Sequence, residues 1–310
     1  MAASNITTEN EFHAGLFRWS VLLAFCTLLL VVAGGLVTSR DAGLSVPDWP
    51  LSYGQLMPKM EGGVLYEHGH RMIATLVGMF TIVSLVWIFR VDRRRWMRML
   101  GIAALLGVIV QGVLGGITVI YLLPWYISSS HATLAQLFFS TTVAMALFTS
   151  RRWLAGASVI PEDAENPLRG LSLAAPLCVL GQLFLGAAAR HKAIGAIYHI
   201  CGAPFVTGVI LWLSMRVLLH YSRNREMRNC AVILLTITMT QVFLGVGAYM
   251  TRIAYVDSVQ PMPLMVTFTV LHVAVGALTL ASSVVMAILV RRNLGARVTM
   301  PAMASEAISV

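Results

Sequence analysis

The run Tyr66-Glu67-His68-Gly69-His70-Arg71 opens a long apolar segment that continues to about Phe89. It sets a carboxylate and two imidazoles at the mouth of a membrane-spanning helix. On a helix Glu67 and His70 share a face, whereas His68 and His70 are about 200° apart and cannot serve one ligand. An ionisable group at membrane depth is expensive, so it marks a functional site and requires a partner. A carboxylate there can act as a base or stabilise developing positive charge.

The elements that position these groups follow from composition. Of 310 residues 58% are hydrophobic and 11% charged, against roughly 25% charged in a soluble domain. The chain is an all-α integral membrane protein. Stretches of the ~20 apolar residues needed to cross a bilayer occur at about 17–38, 67–89, 99–122, 130–150, 171–189, 194–218, 229–250 and 265–290. With the N-terminus inside, the outer side keeps only Arg40, Lys59, Arg71, Arg190, Lys192 and Arg252. The remaining sixteen of the 22 basic residues lie inside, which sets both termini in the cytoplasm. The net charge of +9 is thus spread over loops as a topology signal and excludes nucleic-acid binding. Residues 1–16 read as a cytoplasmic arm without a cleaved signal, and the tail 291–310 as cytoplasmic and disordered. Cys26, Cys178, Cys201 and Cys230 stand alone, give no CxxC or CxxCH, and read as small hydrophobes.

Residues 17–150 and 171–290 read as two four-helix bundles joined by a cytoplasmic linker, 151–170. Gln111, Leu114 and Gly115 recur as Gln241, Leu244 and Gly245, and Gly34 or Gly35 before Arg40 resembles Gly186 before Arg190. Such parallel copies are related by an axis along the membrane normal. The outer loop 39–65, with its prolines, glycines and aromatics, reads as an ordered lid.

This topology brings His70, His131, His199 and His272 to the outer half of the bilayer, one from each even-numbered span and two from each half. Two imidazoles on facing helices are a normal way to hold a haem iron, whereas zinc wants three or four protein ligands together. Glycines near the helix faces (Gly34, Gly35, Gly69, Gly112, Gly115, Gly116, Gly181, Gly186, Gly202, Gly245, Gly247 and Gly276) would let a flat macrocycle approach, or would serve close helix packing. His68 reads as interfacial, and His13, His191 and His220 as solvated. Glu67 stands three residues before His70, but Ala196 stands three before His199. This asymmetry places a reaction centre in the first half and a structural or electron-carrying haem in the second. The plainer reading of Glu67 is an interfacial pair with Arg71 or Arg40.

Gly43-Leu44-Ser45-Val46-Pro47-Asp48-Trp49-Pro50, Glu67, His70-Arg71, Ser130-His131-Ala132, Tyr198-His199 and His272 resemble the heme A synthase family of bacteria and mitochondria. The resemblance implies eight helices in two bundles, and oxidation of the C8 methyl of haem O to the formyl group of haem A through hydroxylated stages. It implies haem b on His199 and His272, substrate haem at His70, His131 and Arg71, and Glu67 as the catalytic carboxylate. It further implies a bacterial cytoplasmic membrane location, an electron acceptor, and association with the haem O synthase, a farnesyltransferase. The lipid-exposed site would suit the isoprenoid tail, with Arg40, Lys59, Arg71, Arg190 and Lys192 as candidate propionate partners. Some members carry a cysteine pair in the first outer loop; residues 39–65 contain none, so no thiol role transfers. Two other readings use the same features: a dihaem b-type cytochrome confined to electron transfer, and a transporter built from repeats. The shared depth of the histidines and the lone Glu67 disfavour the first. The absence of an inward polar pathway disfavours the second.

Overall fold

In the computed structural model residues 11–298 are described. Eight long helices, α1 (Ala14–Ser39), α2 (Gly62–Val91), α3 (Arg95–Ile120), α4 (Trp125–Thr149), α6 (Arg169–Arg190), α7 (Ala196–His220), α8 (Arg225–Ala254) and α9 (Pro263–Asn293), are each long and apolar enough to cross a membrane. A single helical turn, α5 (Arg151–Leu154), follows α4, and strands β1 (Ile160–Asp163) and β2 (Leu294–Val298) complete the described elements.

The helices begin and end where local chemistry dictates. Asn224 caps α8, its side-chain oxygen accepting from Met227 N at 3.0 Å. Pro263 opens α9, where its missing N–H is no loss. Helices α1, α3 and α6 stop in the same way. A residue at positive φ follows the cap (Asp41, Leu122 and Lys192). The next N–H then turns back to the last turn, from Ala42 to Val37, Leu123 to Thr118 and Ala193 to Ala188.

Helix α1 packs on α2 and α4, and α3 on α2 and α4; likewise α6 packs on α7 and α9, and α8 on α7 and α9. The two sets meet where α1 and α4 contact α9 and where α4 contacts α6. Each set has its own apolar core, one around Leu23, Val77, Ile88, Met97 and Met145, the other around Leu213, Met227, Leu234, Leu280 and Met286. Val31, Phe139, Ala277 and Ala281 form a third cluster between them, small alanines letting α9 come close. Arg190 crosses this seam, its Nη2 donating to Gly35 O at 3.2 Å and Ser39 Oγ at 2.6 Å on α1. Hydrogen bonds from a charged donor stabilise by roughly 1.5–3 kcal/mol. Arg190→Met should therefore lower the thermal midpoint of the detergent-solubilised protein, and an unchanged melt would show that the seam does not depend on it.

Several sequence expectations are corrected here. Helix α2 starts at Gly62 rather than at Glu67, so the glutamate lies in its second turn, and α8 starts at Arg225, taking Glu226 into its first turn. The linker 151–170 is not a bare joint, nor is the whole of 291–310 a free tail. Helix α9 runs to Asn293, and β2 then pairs in parallel with β1, Ile160 opposite Leu294 and Glu162 opposite Arg297. Fully buried Glu162 holds the arrangement, one carboxylate oxygen accepting from Leu168 N and Arg169 N at the start of α6. Composition cannot announce a pairing so distant in sequence. The expectations for residues 1–10 and 299–310 lie outside the described residues.

Candidate active site

All four histidines lie within the first ten residues of their helices, α2, α4, α7 and α9. Each is set against a glycine of the helix before it. A Cβ built on Gly34 would meet His70 Cε1 at 3.1 Å, on Gly115 His131 Cε1 at 3.2 Å, on Gly186 His199 Cε1 at 2.9 Å, and on Gly245 His272 Cε1 at 2.8 Å. These glycines are therefore notches for imidazole rings, a use neither of the two sequence readings named.

The two rings of the second set are locked. His199 Nδ1 donates to Gln182 O at 3.0 Å, and His272 Nδ1 to Gln241 O at 3.2 Å. A carbonyl can only accept, so each Nδ1 carries the proton and each Nε2 is left bare, the form in which imidazole binds a metal. The ring centroids lie 6.0 Å apart with planes at 85°. Two imidazoles each about 2 Å from one iron would have centroids roughly 6 Å apart, so the pair fits a bis-histidine haem. The Gln241 amide lies 3.4 Å from His272 Nε2 and would turn aside when that nitrogen binds a metal.

The rings of the first set are looser. His70 and His131 lie within electrostatic reach of each other, His70 beside the main chain of Leu30 and His131 beside that of Gln111. Neither Nδ1, though buried, makes a hydrogen bond of normal geometry. Here a carboxylate is added. Glu67 is 3% exposed; its Oε1 accepts from Arg71 Nη2 at 2.6 Å and its Oε2 from Val46 N at 2.9 Å. The plainer reading of Glu67 is thus present in the structure: it pairs with Arg71 and also straps the outer loop to α2.

Arg71 is a strut for the same loop, its Nη1 donating to Asp48 O at 2.7 Å and Leu51 O at 2.8 Å. Asp48 accepts from Tyr53 N and Gly54 N, and these backbone N–H groups, with Arg71 nearby, hold its carboxyl below the usual range. Val46 and Ala42 are buried, and the Trp49 ring lies where a side chain on Gly116 would stand. The loop is ordered, as its composition suggested, and lies over α3 next to the glycine that meets His131.

Three histidine assignments change. His68 is buried, not interfacial: its Nδ1 is hydrogen-bonded with Ser52 Oγ at 2.8 Å, and its Nε2 has no partner. His191 is half-buried at the end of α6, and burial beside Arg190 pushes its pKa down to about 4, so it is neutral at pH 7. His13 is half-buried as the cap residue of α1, whereas His220 is exposed. The glutamines were the missed residues. Gln111 and Gln241 stood out only as marks of a repeat and Gln182 not at all, although the spacing Gln-x-x-Leu-Gly is present at all three.

A family model described as a cytochrome oxidase assembly protein, COX15-CtaA, matches residues 17–63 and 60–200. A heme A synthase of Symbiobacterium thermophilum is 29% identical over 193 residues, 59% of this chain and 61% of the relative. One from Shouchella clausii is 31% identical over 138 residues, 43% of this chain and 45% of the relative. One from Halalkalibacterium halodurans is 24% identical over 270 residues, 77% of this chain and 88% of the relative. The chain thus spans about half to three fifths of the first two relatives and most of the third.

Proposed function

From its membership of the COX15-CtaA family of cytochrome oxidase assembly proteins, we propose that this chain is a membrane oxidoreductase that converts haem O to haem A. The helices act as two pseudo-symmetric four-helix bundles, both termini in the cytoplasm of a bacterial cell. His70 and His131 of the first bundle would hold haem O, and His199 and His272 of the second would hold haem b. Haem b supplies one-electron chemistry when bound. The observation that carries the reading is the difference between the pairs. The second has rings fixed by main-chain carbonyls with bare Nε2 atoms at a haem-spanning distance, as a resident cofactor needs. In the first, neither Nδ1 makes a hydrogen bond of normal geometry and a carboxylate is the neighbour, which suits an exchanging substrate.

In the first bundle, oxidation of a methyl to a formyl group breaks two carbon–hydrogen bonds and forms a carbonyl with an oxygen drawn from water, so protons leave to a base and electrons to an external acceptor. Glu67 is the proton acceptor this chain offers on the His70 face. Each carboxylate oxygen accepts one hydrogen bond and keeps a lone pair for a proton, and protonation removes the charge that holds Arg71, so chemistry is coupled to the strap that holds the loop. Arg71, Arg40 and Lys59 supply positive charge on the loop side for the porphyrin's propionates. An electron acceptor and the haem O synthase are the partners this reading requires. An electron-carrying dihaem protein needs the histidines alone and leaves Glu67 only its role as a strap for the loop. Expression in cells that make haem O but no haem A tests the reading: haem A should appear in their membranes, and haem O alone would contradict it.

A further inference from the structure

Three helices carry the same turn, Gln-x-x-Leu-Gly: Gln111 to Gly115 on α3, Gln182 to Gly186 on α6, and Gln241 to Gly245 on α8. Residues four apart share a helix face, so each glutamine stands beside the histidine that its glycine accommodates. Gln111 Nε2 donates to His131 O at 2.9 Å and Gln182 Nε2 to His199 O at 2.6 Å, while the Gln241 amide covers His272 Nε2. Helix α1 keeps the glycine, Gly34 against His70, but one turn earlier it has Leu30. His70 therefore faces a neighbouring helix that offers an apolar side chain where the other three histidines meet an amide. The bracing falls in order. His199 has both a ring bond to a main-chain carbonyl and an amide on its own carbonyl, His272 has the ring bond and His131 the amide, while His70 has only the Leu30 main chain beside its ring.

Resting on the reading of these histidines as haem ligands, we propose that Gln111 and Gln182 are positioning residues that keep His131 and His199 in place. By the same logic, Leu30 makes His70 the releasable ligand, through which substrate haem is taken up and product haem let go. A ligand whose outer partners are hydrogen-bonded is held in one orientation, and loss of such a partner typically weakens metal binding by about 10–100-fold. A leucine side chain has no donor with which to hold His70 as the glutamine amides hold His131 and His199. His131, held by Gln111, would keep its grip on the substrate haem while His70 lets go. The arrangement differs from the second bundle, where both ends are fixed and nothing needs to leave.

The test uses the purified full-length protein loaded with haem O. Haem transfer to excess apomyoglobin is followed by absorbance, and ligation of the remaining haem by electron paramagnetic resonance. Leu30→Gln should slow the release of haem O from the first bundle by about 10-fold or more, with a sharper low-spin signal. Gln182→Leu, which gives the second bundle the substitution natural to α1, should speed loss of the second-bundle haem by about 10–100-fold and shift its low-spin signal. Parental release rates and spectra in both variants, with melts showing both folded, would overturn the proposal while leaving the ligand assignment intact. A parent protein that gives no bis-imidazole signal at all would overturn the ligand assignment, and the proposal with it.

Discussion

Replacing Glu67 with glutamine should lower haem A formation by about 10²–10⁴-fold, the usual weight of a positioned acid or base, while the second-bundle haem stays bound. The side chain is nearly isosteric, so the helix is undisturbed, but the charge is gone. An amide oxygen can still accept from Val46 N, now 2.9 Å from Oε2. The amide NH₂, however, would face the Arg71 guanidinium, which has only donors, in place of the 2.6 Å ion pair. Removing one partner of a buried pair can destabilise by roughly 3–5 kcal/mol. Here the penalty is reduced because Arg71 keeps the Asp48 and Leu51 carbonyls. Protease protection of the 39–65 loop measures that structural share separately. Haem O accumulating in a variant with a protected loop identifies the proton acceptor; normal formyl-haem production in Glu67→Gln would remove Glu67 from the chemistry.

The second large effect concerns the locked pair. His199→Ala or His272→Ala should abolish the low-spin b-type absorption of protein purified without haem O, because each ring supplies one of the two bare nitrogens. His70→Ala and His131→Ala should leave that absorption in place and stop haem A formation. Alanine also opens a void and strands the Gln182 or Gln241 carbonyl, so a general loss of fold must be told apart from loss of a ligand. His272→Met does this: a thioether can take the axial position, and the retained haem should have a raised reduction potential, as histidine–methionine ligation gives. Unaltered spectra in both His199→Ala and His272→Ala would mean that the 6.0 Å contact between these rings is only an edge-to-face aromatic pair.

The eight spans were legible because hydropathy over ~20 residues is set by the bilayer and hardly by tertiary context. The four histidines were legible as a set for the same reason: polar groups in apolar runs stand out. The partners that the chain brings from a distance were hidden. Nothing local says that Val46, 21 residues before Glu67, presents its N–H to that carboxylate, or that Ser52 lies over His68 and makes it a buried residue. The strand from Leu294 to Val298 was taken for loose tail, since five residues at a helix end carry no period of their own and their pairing partner is more than 130 positions away. The glycines were read as room for a macrocycle or for close packing, because sequence shows that a side chain is missing and not what fills the space. Arg71 was read only as a porphyrin contact or a partner of Glu67, because sequence does not show that its hydrogen bonds also hold the loop.

Mass analysis of the pigment extracted from the purified full-length protein, made with and without a supply of haem O, tests the central claim most directly. The account predicts haem b in both preparations and haem A in the one given haem O. Haem b alone in both, with the supplied haem O recovered unchanged, would contradict it and leave an electron carrier.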